Sequence, residues 1–151
     1  LPSPKTCSQV MEADDGVLAG ISRDKIWLEM STTDEAEVRR IGALVEATGA
    51  LPVDCPVSGG CHRADTGNIS IFAGCSRKTF ELVLPILTTM GCRILHTGDL
   101  GSASILKVMT NYLATVNLAS IAEALTVLCT MLPPKQVPTL SAAGLPIFSA
   151  T

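Results

Sequence analysis

Four short apolar runs, separated by turn residues and by stretches long enough for helices, constrain the fold more than any other feature. They cover residues 26–30, 51–55, 68–73 and 93–96. The run at 68–73 alternates polar and apolar side chains, as a half-buried strand does. Between them lie helix-like segments. One has its start near Thr32, where Glu35 completes the spacing of a capping box and Asp34 and Glu35 suit the positive end of a helix. Its apolar stripe is Ile41, Leu44, Val45 and Thr48, and Gly49 stops it. A second helix is predicted from an N-cap at Ser76 to Thr88 or Thr89, ended by Gly91. A third is predicted from Ser102 to Met131, ended by Pro133 and Pro134. No confident element is read before Ile26 or after Met131. Alternating strands and helices predict an α/β layer architecture over roughly residues 1–100, with a long helix leading away from it.

Composition narrows the function. The 151 residues are 47% hydrophobic and 17% charged, which describes a folded domain rather than a disordered chain. A net charge of -3 and few aromatic residues give no surface for phosphates or stacked bases, so no nucleic-acid partner is expected. Six cysteines occur without a C-x-x-C pair or a histidine at zinc spacing, so no metal is expected. They read as reduced, mostly buried thiols of an intracellular protein. The apolar stretch from Ile105 to Leu132 is broken by Lys107, Asn111, Asn117 and Glu123. Its uncharged part is shorter than the ~20 residues a membrane span needs, so a buried core helix is predicted and no membrane partner.

Two local motifs carry chemistry. In Asp54-Cys55-Pro56-Val57-Ser58-Gly59-Gly60, paired glycines after a strand let a ligand approach backbone amides, and the serine adds a hydroxyl. Such a loop can hold a small carboxylate, although a plain turn is the simpler reading of the loop alone. The second motif places Lys107 and Asn111 four residues apart, on one face of the long helix among apolar neighbours. Desolvation would lower the pKa of such a lysine and suit it to proton transfer, whereas a lone lysine near a helix start is more commonly a surface group. His62 reads as a solvated loop residue and His96 as a strand-end residue touching a neighbouring loop. Cys61 has no base placed beside it.

Taken in order, Pro56-Val57-Ser58-Gly59-Gly60, Gly67, Ala73-Gly74, Gly98, Gly101, Lys107 and Asn111 resemble the 3-hydroxyisobutyrate dehydrogenase family of β-hydroxyacid dehydrogenases. Residues 28–33 look like the family's D-x-S-T stretch, with Glu29 near the acidic position, and Leu1-Pro2 looks like its L-P dipeptide. The resemblance covers about residues 1–131. It implies the C-terminal part of a Rossmann-type dinucleotide-binding domain, with residues 101–151 opening an all-helical domain and an atypical tail from about 132. It implies NAD or NADP as cofactor and a small β-hydroxy acid or aldehyde-acid as substrate, with 3-hydroxyisobutyrate first. It further implies a homo-oligomeric full-length parent in the cytoplasm or mitochondrion. By the same resemblance Lys107 is the acid/base, while Ser58, Gly59 and Gly60 bind the substrate carboxylate and Asn111 orients the substrate. Leu1, Pro2 and Thr32 touch the dinucleotide.

The chain departs from that pattern in two places. No G-x-G-x-x-G, the pyrophosphate fingerprint, occurs, and the Pro/Gly-rich end resembles none of the family's helices. The expectation is a piece of an oxidoreductase lacking its first βαβ portion; the alternative is a catalytically silent fragment serving as an interaction or structural module. An imine reductase relative is a third reading, opposed by Lys107. A parallel sheet with uncovered edges, and a helix apolar on more than one face, predict a chain that is marginally stable or self-associating. Sedimentation should show species heavier than 15.8 kDa, or urea should unfold the chain over a broad transition; a monomer with one sharp transition would contradict this.

Overall fold

The computed structural model describes residues 1–131, and the reading of the tail lies outside them. By contacts the chain divides into a unit from Leu1 to Met109 and a second from Thr110 onward. The first unit opens with α1 (Pro4–Glu12) and α2 (Val17–Gly20), two helices that the sequence reading left out. Their signal was nonetheless present. Ser3 caps α1, its Oγ accepting the Thr6 amide at 3.2 Å, and Pro4 takes the first helical position, where a missing N–H costs nothing.

The α/β alternation follows as β1 (Ile26–Glu29), α3 (Glu35–Ala47), β2 (Leu51–Asp54), β3 (Val57–Ser58), α4 (Gly60–Asp65), β4 (Ser70–Gly74), α5 (Arg77–Met90), β5 (Arg93–Gly98) and α6 (Ser102–Met131). The four predicted strands, the Ser76 cap and the stop at Gly91 stand where expected. The predicted capping box does not form. Asp34 caps α3 by accepting the Glu37 amide at 3.2 Å, and Glu35 is drawn instead into an ion pair with Arg39 one turn on. The stripe of α3 is Val38, Ile41, Gly42 and Val45, while Leu44 is 39% exposed and Thr48 is the C-cap. Gly42 lies against the Leu100 side chain, where a Cβ would clash with Leu100 Cδ2. Gly49 ends the helix at φ +84°, in the region glycine favours.

The five strands form one mixed sheet, not a parallel one. β1 pairs parallel with β2 and β4 parallel with β5, but β2 and β3 both run antiparallel to β4. The six-residue α4 and its turns are too short for the crossover of a dozen or more residues that a parallel return needs. Asp54 faces Gly74, Val57 faces Ile71 and Ser58 faces Ser70, so β2 and β3 keep one register along β4. Pro56 lies between them and still accepts the Phe72 amide at 3.0 Å through its carbonyl.

Alternation of side chains covers both faces. Val53, Cys55, Ile71, Ala73 and Cys75 meet Phe80, Val83 and Leu87 of α5, and Ile26 and Leu28 pack beside them. On the opposite face Trp27 joins Ile41 and Val45 of α3 and Met11 of α1. That second face also receives Glu29 and Asp54. Cys7, Cys55 and Cys75 are buried, but Cys61, Cys92 and Cys129 are exposed, so "mostly buried" overstates the thiols; all six are free. The expectation of a buried core helix is not met within the described residues. Only Ala103 and Ser104 of α6 are buried, and the rest of the helix is apolar on more than one face without a described element covering it. By length and composition alone α6 is long and apolar enough to cross a membrane.

Outside the core, Arg40 gathers acidic side chains from two helices. Its guanidinium meets Glu12 of α1 at 2.9 Å and Glu37 at 2.7 Å, and Ser8 donates to Glu37. The Arg40 hydrogen bond first, then that of Ser8, holds the Glu37 carboxyl down at about 2. A carboxyl depressed in the folded state adds stability above its unfolded value near 4.5 and loses it as pH falls towards 2. The urea midpoint should therefore fall on acidification from pH 5 to pH 2.5, and Arg40→Gln should flatten that fall. Equal slopes for the two proteins would remove Glu37 as the cause.

Candidate active site

At the carboxyl ends of β1 and β2, two acidic side chains stand side by side. Glu29 and Asp54 are register partners in the parallel pair, and the Cys55 amide donates to the Glu29 carbonyl at 2.7 Å. Glu29 is 6% exposed, and its Oε1 accepts the Ser31 amide at 2.9 Å, turning the chain out of β1. Asp54 is fully buried. Its Oδ2 accepts the Ser104 amide at 2.7 Å and its Oδ1 accepts the Ser104 hydroxyl at 2.8 Å. Burial pushes the Asp54 carboxyl up, the two Ser104 donors oppose that, and the neighbouring Glu29 charge adds to it.

These bonds answer a local need of α6. The residue before the helix, Gly101, lies at φ +90° and has no side chain with which to cap it. The amide of Ser104, third in α6, would otherwise be an unpaired donor. Asp54 supplies the missing acceptor from across the fold, and a carboxylate is favoured at this end of the helix dipole. Hydrogen bonds to a charged group contribute about 1.5–3 kcal/mol each. The neighbouring contacts are equally close. Thr97 Oγ1 lies 2.7 Å from Ser102 Oγ and donates to the Ala73 carbonyl at 3.2 Å.

Lys107 lies one turn further along α6. It is partly buried, and desolvation lowers its pKa. Ser58, Gly59 and Gly60 lie at the far end of the β2–β3 line. Ser58 is half-buried on β3, whereas Gly59 and Gly60 are exposed at φ +138° and +70° and lead into α4. A Cβ on Gly59 would come within 2.9 Å of Arg63 Cδ, while Gly60 faces open space. Asn111 is exposed on α6 and falls in the second unit.

Of the dinucleotide set, Leu1, Pro2 and Thr32 are exposed. The Leu1 amine donates to Ser31 Oγ at 2.7 Å, which brings the first residues beside the segment that holds Thr32. Next to it, Thr33 Oγ1 is buried with no hydrogen-bond partner among the described residues. A polar ligand group at the end of β1 would satisfy that hydroxyl. The residues present thus fit one part of a dinucleotide, at the carboxyl ends of the strands, where α/β sheets receive ligands. The pyrophosphate cradle has no counterpart in the sequence.

Other singled-out residues find plain roles. His62 is exposed on α4, as is Cys61. His96 Nε2 lies 2.8 Å from the Cys75 carbonyl, and its ring stacks on Phe80 at 4.6 Å, in keeping with the expected contact to a neighbouring loop. The sequence reading assigned no role to Asp54 or Ser104. Asp54 lies inside the quoted glycine motif and Ser104 three residues before Lys107, but nothing in a linear pattern links residues fifty positions apart.

Comparison with known proteins identifies the family and the fold. Residues 1–98 match the family described as the NAD binding domain of 6-phosphogluconate dehydrogenase. The chain is 34% identical over 125 residues to 2-(hydroxymethyl)glutarate dehydrogenase of Eubacterium barkeri, and 32% identical over 125 residues to 3-hydroxyisobutyrate dehydrogenase of Pseudomonas aeruginosa. Each alignment covers 83% of this chain and 42% of the relative. It also superposes on a structure of 3-hydroxyisobutyrate dehydrogenase from Mycobacterium tuberculosis with L-serine, at a TM-score of 0.83 and 25% identity, covering 99% of this chain and 52% of that one. The chain belongs to the family of the 6-phosphogluconate dehydrogenase NAD-binding domain, and its fold is the Rossmann-like α/β sheet with a long following helix. It spans about 42% of the length of the curated relatives it matches.

The seating of α6 is open to a direct test. A Cβ on Gly74 would lie 2.9 Å from the Asp99 carbonyl oxygen, 2.9 Å from Ser102 Oγ and 3.1 Å from the Ala103 amide nitrogen. Backbone cannot yield as a flexible side chain can, so Gly74→Ala should destabilise the chain by about 1–3 kcal/mol in urea unfolding. An unchanged midpoint would show that α6 is free to move off β4.

Proposed function

We propose that this chain is part of an NAD(P)-dependent oxidoreductase acting on a small β-hydroxy acid, with 3-hydroxyisobutyrate the first choice. The observation that carries the reading is Lys107. It is a partly buried lysine with a lowered pKa, held one turn into a helix whose start is fastened to the strand leading to Ser58. The names of the relatives as dehydrogenases of hydroxy acids support the substrate class. In this reading residues 1–100 belong to the dinucleotide-binding domain and residues 101–151 open a helical one. The parent is a homo-oligomer inside the cell.

A bound nicotinamide would supply the hydride chemistry at the substrate carbon. The protein supplies placement and the proton. Ser58, Gly59 and Gly60 hold the carboxylate through a hydroxyl and backbone amides. Lys107 gives a proton from Nζ to the carbonyl oxygen in the direction of reduction and takes the hydroxyl proton in the direction of oxidation. A lysine whose pKa is brought towards neutrality does both more readily, because the ideal acid/base titrates near the working pH. Asn111 orients the substrate, and Leu1, Pro2 and Thr32 contact the dinucleotide.

The test is turnover and binding. NADH and NADPH absorbance should be followed with a panel of β-hydroxy acids and their aldehydes, beside Lys107→Ala. The lysine variant should lose about 10²–10⁴ in kcat while dinucleotide affinity, read by calorimetry, stays within a factor of about three. Equal turnover in the variant would take the acid/base role from Lys107. Absence of both turnover and dinucleotide binding would mean that this chain is an incomplete enzyme, and the same comparison would then be made on its longer parent.

A further inference from the structure

The Asp54 side chain bonds the first turn of α6 to the strand line that ends in the Ser58–Gly60 segment. From this point two arms run out. One is α6, on which Lys107 follows Ser104 by three residues, roughly 4.5 Å along the axis of a rigid helix. The other is the β2–β3 line, which runs from Asp54 through Pro56 to Ser58 in unbroken register with β4. We propose that Asp54 is a positioning residue, whose carboxylate clamps the first turn of α6 to the end of β2 and so fixes Lys107 relative to the Ser58–Gly60 segment. This rests on the roles given above to Lys107 and Ser58.

Three observations make the clamp specific. Ser104 binds the carboxylate through both its amide and its hydroxyl, at 2.7 and 2.8 Å, with both residues buried. Gly101 provides no cap of its own, so α6 depends on Asp54 for the acceptor. Gly74, the register partner of Asp54, is the point where the helix start touches the sheet backbone. A mere filler at this position would not need a charge, two aligned acceptors and a partner hydroxyl.

The clamp and a simple charge effect predict opposite signs. Loss of a nearby negative charge lowers the pKa of a lysine. Release of α6 admits water to Lys107 and raises it. Asp54→Asn keeps the shape, with Oδ1 able to accept the Ser104 amide and Nδ2 able to donate to the Ser104 hydroxyl. Asp54→Ala removes both bonds. The other charged groups around the clamp, Glu29 of β1, Glu35 and Arg39 of α3 beside Gly101, and Asp99, are the same in every variant.

The experiment uses the whole 151-residue chain labelled with 13C and 15N at its lysines, with the Lys107 ε-methylene signal assigned by Lys107→Arg. Its titration is followed in the parent, Asp54→Asn and Asp54→Ala, with far-UV circular dichroism as the check of folding. Asp54→Ala should raise the Lys107 midpoint by at least about 0.5 unit and Asp54→Asn should not. Equal shifts in the two variants, or no rise in Asp54→Ala, would overturn the clamp. Should Asp54→Ala fail to fold, Ser104→Ala removes only the hydroxyl bond and should give a smaller rise; no rise there overturns the proposal equally. The titration reads the same whether or not the chain binds a dinucleotide, so failure of the proposed function and failure of the clamp are told apart.

Discussion

A single buried carboxylate ties together the parts of this molecule that carry chemistry. Asp54 leaves water completely, at a cost that only good partners offset. The amide and hydroxyl of Ser104 are those partners, and in accepting them Asp54 also gives α6 the cap that Gly101 withholds. Without this bond the helix start would hold an unpaired donor, and β2 an unpaired charge. The fold has one solution to both problems, and it consists in placing the helix start against the strand end. The glycines at 74 and 101 allow the approach, since a side chain at Gly74 would strike the backbone of the incoming turn.

The alternation of side chains along β2 explains why the same strand serves structure and function. Val53 and Cys55 turn towards α5 and fill the larger core, so the intervening Asp54 has to emerge on the face shared with α3. A strand buried on both sides usually places only apolar groups there. Here one polar group is kept, and it is the one that locates α6. Glu29, its neighbour across the parallel pair, does the analogous service for the chain leaving β1, where its carboxylate accepts the Ser31 amide ahead of Thr32 and Thr33. Two acidic side chains thus direct two exits from the sheet, one towards the segment read as the dinucleotide contact and one towards the lysine.

Much of this was legible in the sequence, and the reasons for the rest are physical. The strands announced themselves by apolar runs, and α5 by Ser76 and Gly91. The family resemblance came from glycines and a lysine whose spacing is local. α1 went unread although Ser3-Pro4 is a helix-start signal, because its buried stripe is only Cys7 and Met11 in a nine-residue helix. The cap of α3 fell on Asp34 and not Thr32, since several residues in a Thr-Thr-Asp-Glu stretch can serve and only packing chooses. The antiparallel course of β4 depends on how short α4 is, and α4 was read as loop. The Asp54–Ser104 bond joins residues fifty positions apart and has no sequence period at all. Long-range polar pairs are in general invisible to local patterns, while a helix such as α6 reveals its extent but not what covers it.

Pro56 breaks the ladder at one point. Its carbonyl receives the Phe72 amide, but the ring nitrogen has no hydrogen with which to return the bond, so β2–β3 is fastened to β4 with one rung missing. Upstream of the gap, Asp54 and Val53 belong to the most deeply buried part of the protein; downstream, only Val57 and Ser58 remain paired before the exposed glycines. The free energy of local opening therefore changes abruptly along a single strand. The Ser58 end is tied to the sheet by fewer bonds and less burial than the Asp54 end, and one continuous register carries two levels of anchoring.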